Sequence, residues 1–193
     1  MEISGESSSS ALRMIQLWKM SWSFLAMPES TITSIVGTMN WRKNCLNCTL
    51  FCIHGNHEAR PWEAGDYDEK EWNGGIVYVE EQYPNLLFAK DGEIYYYNDR
   101  SVIVIGGAYS VDKYYRLNNG LMWFDTEQPD ETIKQYVEKQ LEKVDWSVDI
   151  VLSHTVPILA EPVWNFIPGL DQTTVDKSTE KWLQTIHDNL DLR

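Results

Sequence analysis

The feature that most constrains this chain is a break in periodicity near residue 49. Glu2 to Asn47 sustain neither a two-residue nor a 3.6-residue apolar repeat, Ser7 to Ser10 form a low-complexity run, and Trp18, Trp22 and Trp41 follow no pattern. From Thr49 onward, short apolar runs alternate with turn signals. Thr49 to Ile53 reads as a buried strand closing on a glycine. Leu86 to Ala89, Glu93 to Tyr97 and Val102 to Ile105 are three more strand candidates. Asp91-Gly92 predicts a hairpin turn between the first two, and Gly106-Gly107 ends the third.

Further on, Pro129, Asp130 and Glu131 mark a helix start, with proline and acids in the first turn. Ile133, Val137, Leu141 and Val144 follow at helical spacing. Asp149 to Ser153 is a buried strand, Pro157, Pro162 and Pro168 mark a loop, and Thr174 to Asn189 reads as a last helix with Val175, Trp182 and Ile186 apolar. There is no internal repeat. Strands mixed with helices and hairpins predict an α/β sandwich. The organisation expected is an aberrant, poorly ordered segment over 1–48 and a domain over 49–193.

A chain of 193 residues suits one domain with a real core. Its formal net charge of −13 makes a nucleic-acid partner unlikely, because phosphate backbones repel acidic surfaces. Acidity does not exclude phosphate chemistry, since bound divalent cations invert the local field. The cysteines, Cys45, Cys48 and Cys52, are too few for a secreted disulfide framework. No apolar run approaches the ~20 residues of a membrane span. Ala11 to Met27 is broken by Arg13, Gln16 and Lys19, which argues against a signal peptide. The expected location is the cytoplasm, with no membrane partner; oligomeric state is not readable.

Two segments carry chemistry. In Phe51-Cys52-Ile53-His54-Gly55-Asn56-His57-Glu58 a buried strand runs into a turn glycine and then an Asn-His-Glu cluster. Ligands in open α/β sheets gather at the carboxyl ends of strands. Asn56 offers a neutral oxygen to a hard cation, and His57 offers a proton to a leaving oxygen. In Asp149 to Pro157 the arrangement recurs, with His154 able to bind a metal through a ring nitrogen.

Gly55-Asn56-His57-Glu58 is similar to the third conserved block of the calcineurin-like metallophosphoesterases, and Ser153-His154-Thr155 with Pro157 resembles their fourth. The segment Ile103 to Leu117 resembles a bacterial and phage branch of that family. The resemblance spans about three-quarters of the chain, residues 50–193. It implies a pair of mixed sheets flanked by helices and a site with two divalent metals, often manganese or iron, bridged by hydroxide. Such a pair clamps the attacking and leaving oxygens of a phosphate ester. By that resemblance Asn56 and His154 are metal ligands, His57 is the catalytic acid, and the substrate is a phosphorylated small molecule or other phosphate ester.

Other residues have competing readings. His54 and His187 read as structural. Tyr109, Asp112 and Arg116 either line the cleft or form an ordinary polar loop. Arg60 either meets a phosphate or is a solvated surface arginine. Cys45 and Cys48 have redox or zinc spacing but lack a second pair.

The family's opening Asp-x-His and Gly-Asp blocks are missing; residues 1–48 contain neither Asp nor His. The chain also stops before a Gly-His-x-His block, so the sandwich is expected to be incomplete at both ends. The genetic code offers a reason. If each codon takes the last base of one residue and the first two of the next, Met27-Pro28 force Ala, inside a stretch that permits Gly-Asp-Ala-Gly. In the same frame Asn40-Trp41, Asn44-Cys45 and Asn47-Cys48 each force Leu, at i, i+4 and i+7, and Met39-Asn40 force Glu. That is the stripe of an amphipathic helix. The reading is that codons from about Glu6 to Cys48 are out of frame. The sequence therefore predicts a metal-dependent phosphoesterase by family, impaired or inactive as written. The alternative is a non-catalytic binding module on the same fold.

Overall fold

The computed structural model describes residues 49–65, 67–166 and 172–192. The tryptophans of the first segment, the Cys45/Cys48 pair, Pro168 and the leucine stripe of the shifted frame lie outside them.

The first strand, β1 (Leu50–Cys52), runs parallel to β4 (Leu86–Ala89). Beyond β4 come β3 (Gly75–Val79) and then β2 (Asp68–Trp72), both antiparallel pairings, giving a mixed sheet ordered β1-β4-β3-β2. The second sheet places β6 (Arg100–Ile105) between antiparallel β5 (Ile94–Tyr97) and parallel β8 (Ile150–Ser153). Short β7 (Ser147–Val148) pairs with β9 (Asp191–Leu192). The helices are α1 (Pro61–Ala64), α2 (Lys113–Asn118), α3 (Glu131–Glu142) and α4 (Ser178–Asn189). The architecture is thus α/β with two mixed sheets.

Alternation puts one face of each sheet into a shared interior. Val77, Val79, Leu87 and Ala89 from one sheet meet Tyr95 and Val104 from the other, with Phe51, Trp72 and Leu152 packed around them. Tyr95 is fully buried and solves its polar end locally: its hydroxyl donates to the Ile76 carbonyl at 2.6 Å and accepts from the Lys90 N–H at 3.0 Å. The other face of the second sheet is sealed by α3 and α4, through Ile103, Ile105 and Val151 against Val137, Leu141, Trp182, Leu183 and Ile186. Helix α3 starts where proline and acids predict: the Asp130 side chain caps the Ile133 N–H at 2.8 Å. Helix α4 starts later than expected, at Ser178 rather than Thr174, because the Asp176 carboxylate takes the Ser178 N–H at 2.9 Å and holds the approach as a turn.

One turn expectation is overturned. Asp91-Gly92 does not close a hairpin, because β4 and β5 belong to different sheets. Asp91 is instead buried, accepting from the Gly106 N–H at 2.7 Å and pairing with Arg60. The hairpins lie elsewhere. Asn73-Gly74 joins β2 to β3 and Asn98-Asp99 joins β5 to β6, with positive φ at both residues of each turn (49° and 88°; 47° and 64°). That is the backbone a tight two-residue hairpin requires.

Candidate functional site

Parallel pairing of β1 with β4 and of β6 with β8 points four carboxyl ends toward one rim. The chain leaving β1 carries His54 to Arg60, the turn after β4 carries Asp91, the loop after β6 carries Gly106 to Asp112, and the chain leaving β8 carries His154 and Thr155. The loop after β6 is stitched to the chain after β1, since Gly107 N–H donates to the His54 carbonyl at 2.8 Å. Gly107 sits at φ +83°, and a Cβ there would lie 2.3 Å from the Glu127 carbonyl oxygen, so only glycine fits.

Two of the three residues singled out for chemistry meet. Asn56 and His154 are 98 residues apart in sequence, yet Asn56 Oδ1 lies 3.2 Å from His154 Nε2. Because Asn56 Nδ2 is turned to Ser110 Oγ at 3.3 Å, Oδ1 faces the ring and His154 Nε2 acts as donor. Burial holds the His154 imidazole neutral, down to about 4, with His57 and Arg60 adding repulsion. His57 stands beside them. Its Nδ1 is 3.4 Å from Ser110 Oγ, its Nε2 is 3.8 Å from Asp112, and its side chain keeps 35% exposure, enough to reach a bound molecule. Burial lowers its pKa, Asp112 opposes that, and Arg116 on the far side of Asp112 at 3.5 Å reinforces it. Of the cleft candidates, Asp112 and Arg116 therefore do border the site.

Glu58 turns back to accept from the Gly55 N–H, and desolvation pushes its carboxyl up to about 7. His54 is buried with Nε2 unpaired, its pKa well below the ordinary value, first through burial and then through Arg60 and His154. Both surface readings of Arg60 are corrected: it is 1% exposed, paired with Asp91, and donates through Nε to the Thr126 carbonyl at 3.0 Å. It cannot meet a substrate phosphate; it neutralises Asp91 and pins the glycine loop. His187 stands apart on α4 beside Asp188.

Sequence reasoning missed Ser110 and Glu127, which are 0% and 2% exposed and tie the loop after β6 to Asn56 and His57. A serine two residues before an aspartate carries no special signal. Glu127 stands in a polar stretch between Thr126 and Gln128, which carries no burial signal.

Asn56 Oδ1 and His154 Nε2 are neutral and occupied with each other. Among the described residues no three His, Cys, Asp or Glu side chains cluster to hold a metal ion. Hard dications need carboxylates to offset their charge. The described residues do not by themselves fit a two-metal centre. Comparisons with family models, with curated proteins and with solved structures gave no match.

Proposed function

We propose that this chain descends from metal-dependent phosphoesterases and is catalytically impaired as written. The observation that carries the reading is the 3.2 Å approach of Asn56 to His154 at the strand ends, with His57 alongside. Those are the residue types, on the kind of strand termini, that the resemblance assigns to metal binding and leaving-group protonation. Among the described residues the acidic half of the donor set is lacking, and with it the groups that would hold a bridging nucleophile. The 35% exposure of the His57 side chain supports its reading as the residue that gives a proton to a phosphate ester bound at the rim.

The test is hydrolysis of an aryl phosphate monoester and diester in the presence of Mn²⁺. The expected result is turnover indistinguishable from His57→Ala. Clear metal-dependent turnover that His57→Ala abolishes contradicts the impairment.

A second reading, a binding module that works without metals, is favoured by exposed apolar side chains on the segments that follow β6 and β8. Val111, Tyr114 and Tyr115 are exposed after β6, and Leu159 and Trp164 after β8. It predicts a monodisperse protein whose ligand affinity is unchanged by chelator.

A further inference from the structure

The clearest built feature outside the proposed ligands is the enclosed pair Ser110 and Glu127. Glu127 grips Ser110 twice: Oε1 accepts the Ser110 N–H at 2.8 Å, and Oε2 lies 2.5 Å from Ser110 Oγ. The same Oγ lies 2.5 Å from the Asn56 carbonyl oxygen, 3.3 Å from Asn56 Nδ2 and 3.4 Å from His57 Nδ1. One hydroxyl thus touches Asn56 at two atoms and His57 at one, across 54 and 53 residues of sequence.

We propose that Ser110, held by Glu127, is a positioning residue that fixes His57 as its Nδ1–H tautomer and leaves Nε2 as the working nitrogen. The significance of His57 rests on the phosphoesterase reading above; the geometry does not. A hydroxyl has one proton and two lone pairs. Two oxygens compete for that proton at 2.5 Å, whereas His57 Nδ1 is at 3.4 Å. The proton therefore goes to an oxygen, and the ring nitrogen facing Oγ must be the donor. Asn56 Nδ2–H occupies the other lone pair. His57 Nε2 is then bare, with the Asp112 carboxylate 3.8 Å away, beyond hydrogen-bond reach. The hydrogen bond made by one imidazole nitrogen decides what the other can do. Here it leaves Nε2 as the nitrogen available to a bound molecule.

The experiment is long-range ¹H–¹⁵N correlation of the histidine rings at pH 8, without metal or substrate, with His57 assigned by His57→Gln. Wild type is expected to show protonated Nδ1 and bare Nε2. Ser110→Ala is expected to lose that signature and adopt the Nε2–H form or a mixture. Ser110→Thr keeps the hydroxyl and should restore it. Glu127→Ala should mix the two tautomers. An Nε2–H tautomer in wild type, or a Ser110→Ala spectrum identical to wild type, overturns the proposal. Full retention of the signature in Glu127→Ala overturns the part given to Glu127. Because neither metal nor turnover enters the readout, this failure is distinguishable from failure of the phosphoesterase reading. A packing role alone would leave the tautomer unchanged.

Discussion

The interior and the rim of this molecule bury their residues by different physics. The interior is apolar: Val77, Val104, Val137 and Leu141 are fully buried among other hydrocarbons. The rim at the strand ends is equally closed but polar, with Arg60, Asp91, Glu127, His54 and Ser110 all buried within one loop system. Burial in the interior stabilises in proportion to area and tolerates partial loss. Burial in the rim stabilises only while each charge keeps its partner. The rim is therefore where single substitutions should do disproportionate harm, and where function has room to constrain the fold.

The largest effect should come from Arg60→Ala, which leaves Asp91 charged and buried. A loss of about 3–5 kcal/mol in urea unfolding is expected. Arg60→Met combined with Asp91→Leu should cost much less than the two single changes summed, since neither charge is then stranded. A loss under ~1 kcal/mol for Arg60→Ala would show that the Gly106 N–H alone satisfies Asp91, and would erase the contrast.

In the interior, Leu141→Ala should cost about 3 kcal/mol through lost burial and the cavity left between α3 and the sheet. It should add nearly independently to rim substitutions, as distant sites do.

Acid provides a third comparison. His154 and His54 are held below their ordinary pKa, so the unfolded chain binds protons that the folded chain refuses. The His154 contribution is fully present above about 6.5 and is lost as pH falls toward 4, and His54 acts in the same direction. Glu58 has the opposite sign: raised to about 7, its contribution is present below 4.5 and lost as pH rises through 7. Stability measured in Glu58→Gln should therefore fall from pH 7 to pH 5, and adding His154→Gln should remove about 2 kcal/mol of that fall. An unchanged slope would mean that the His154 ring is not held neutral. The smallest effect, about 1 kcal/mol, is expected from Asp130→Ala at the α3 cap.

The sequence made much of the interior readable because burial leaves a period, although the buried strand β3 was passed over together with its neighbour β2. Leu86–Ala89 and the α3 stripe were found nearly residue for residue. Strand β2 was missed: Asp68 to Glu71 are charged and exposed, so they carry no apolar alternation, and charge is what a natural edge strand displays. Its turn, Asn73-Gly74, was legible and was passed over. Asp91-Gly92 was misread because a turn signal says where the chain bends, not which strands pair. At the rim, Asn56, His57 and His154 were recognisable from their place after buried strands. Ser110, Glu127 and Asp91 were not, because their burial depends on partners 15 to 54 residues away. Nothing local distinguishes such a residue from a surface one.

The proposal to be tested is that Asn56, His57 and His154 are the neutral half of a metal site whose acidic half is hidden in the reading frame of the first segment. The most direct measurement is Mn²⁺ titration calorimetry on this chain and on one with codons 6–48 read in the shifted frame. The account predicts negligible binding heat for the first. For the second it predicts saturable binding that Asn56→Ala and His154→Ala each weaken. Equal binding by both chains, or binding indifferent to Asn56 and His154, would contradict it.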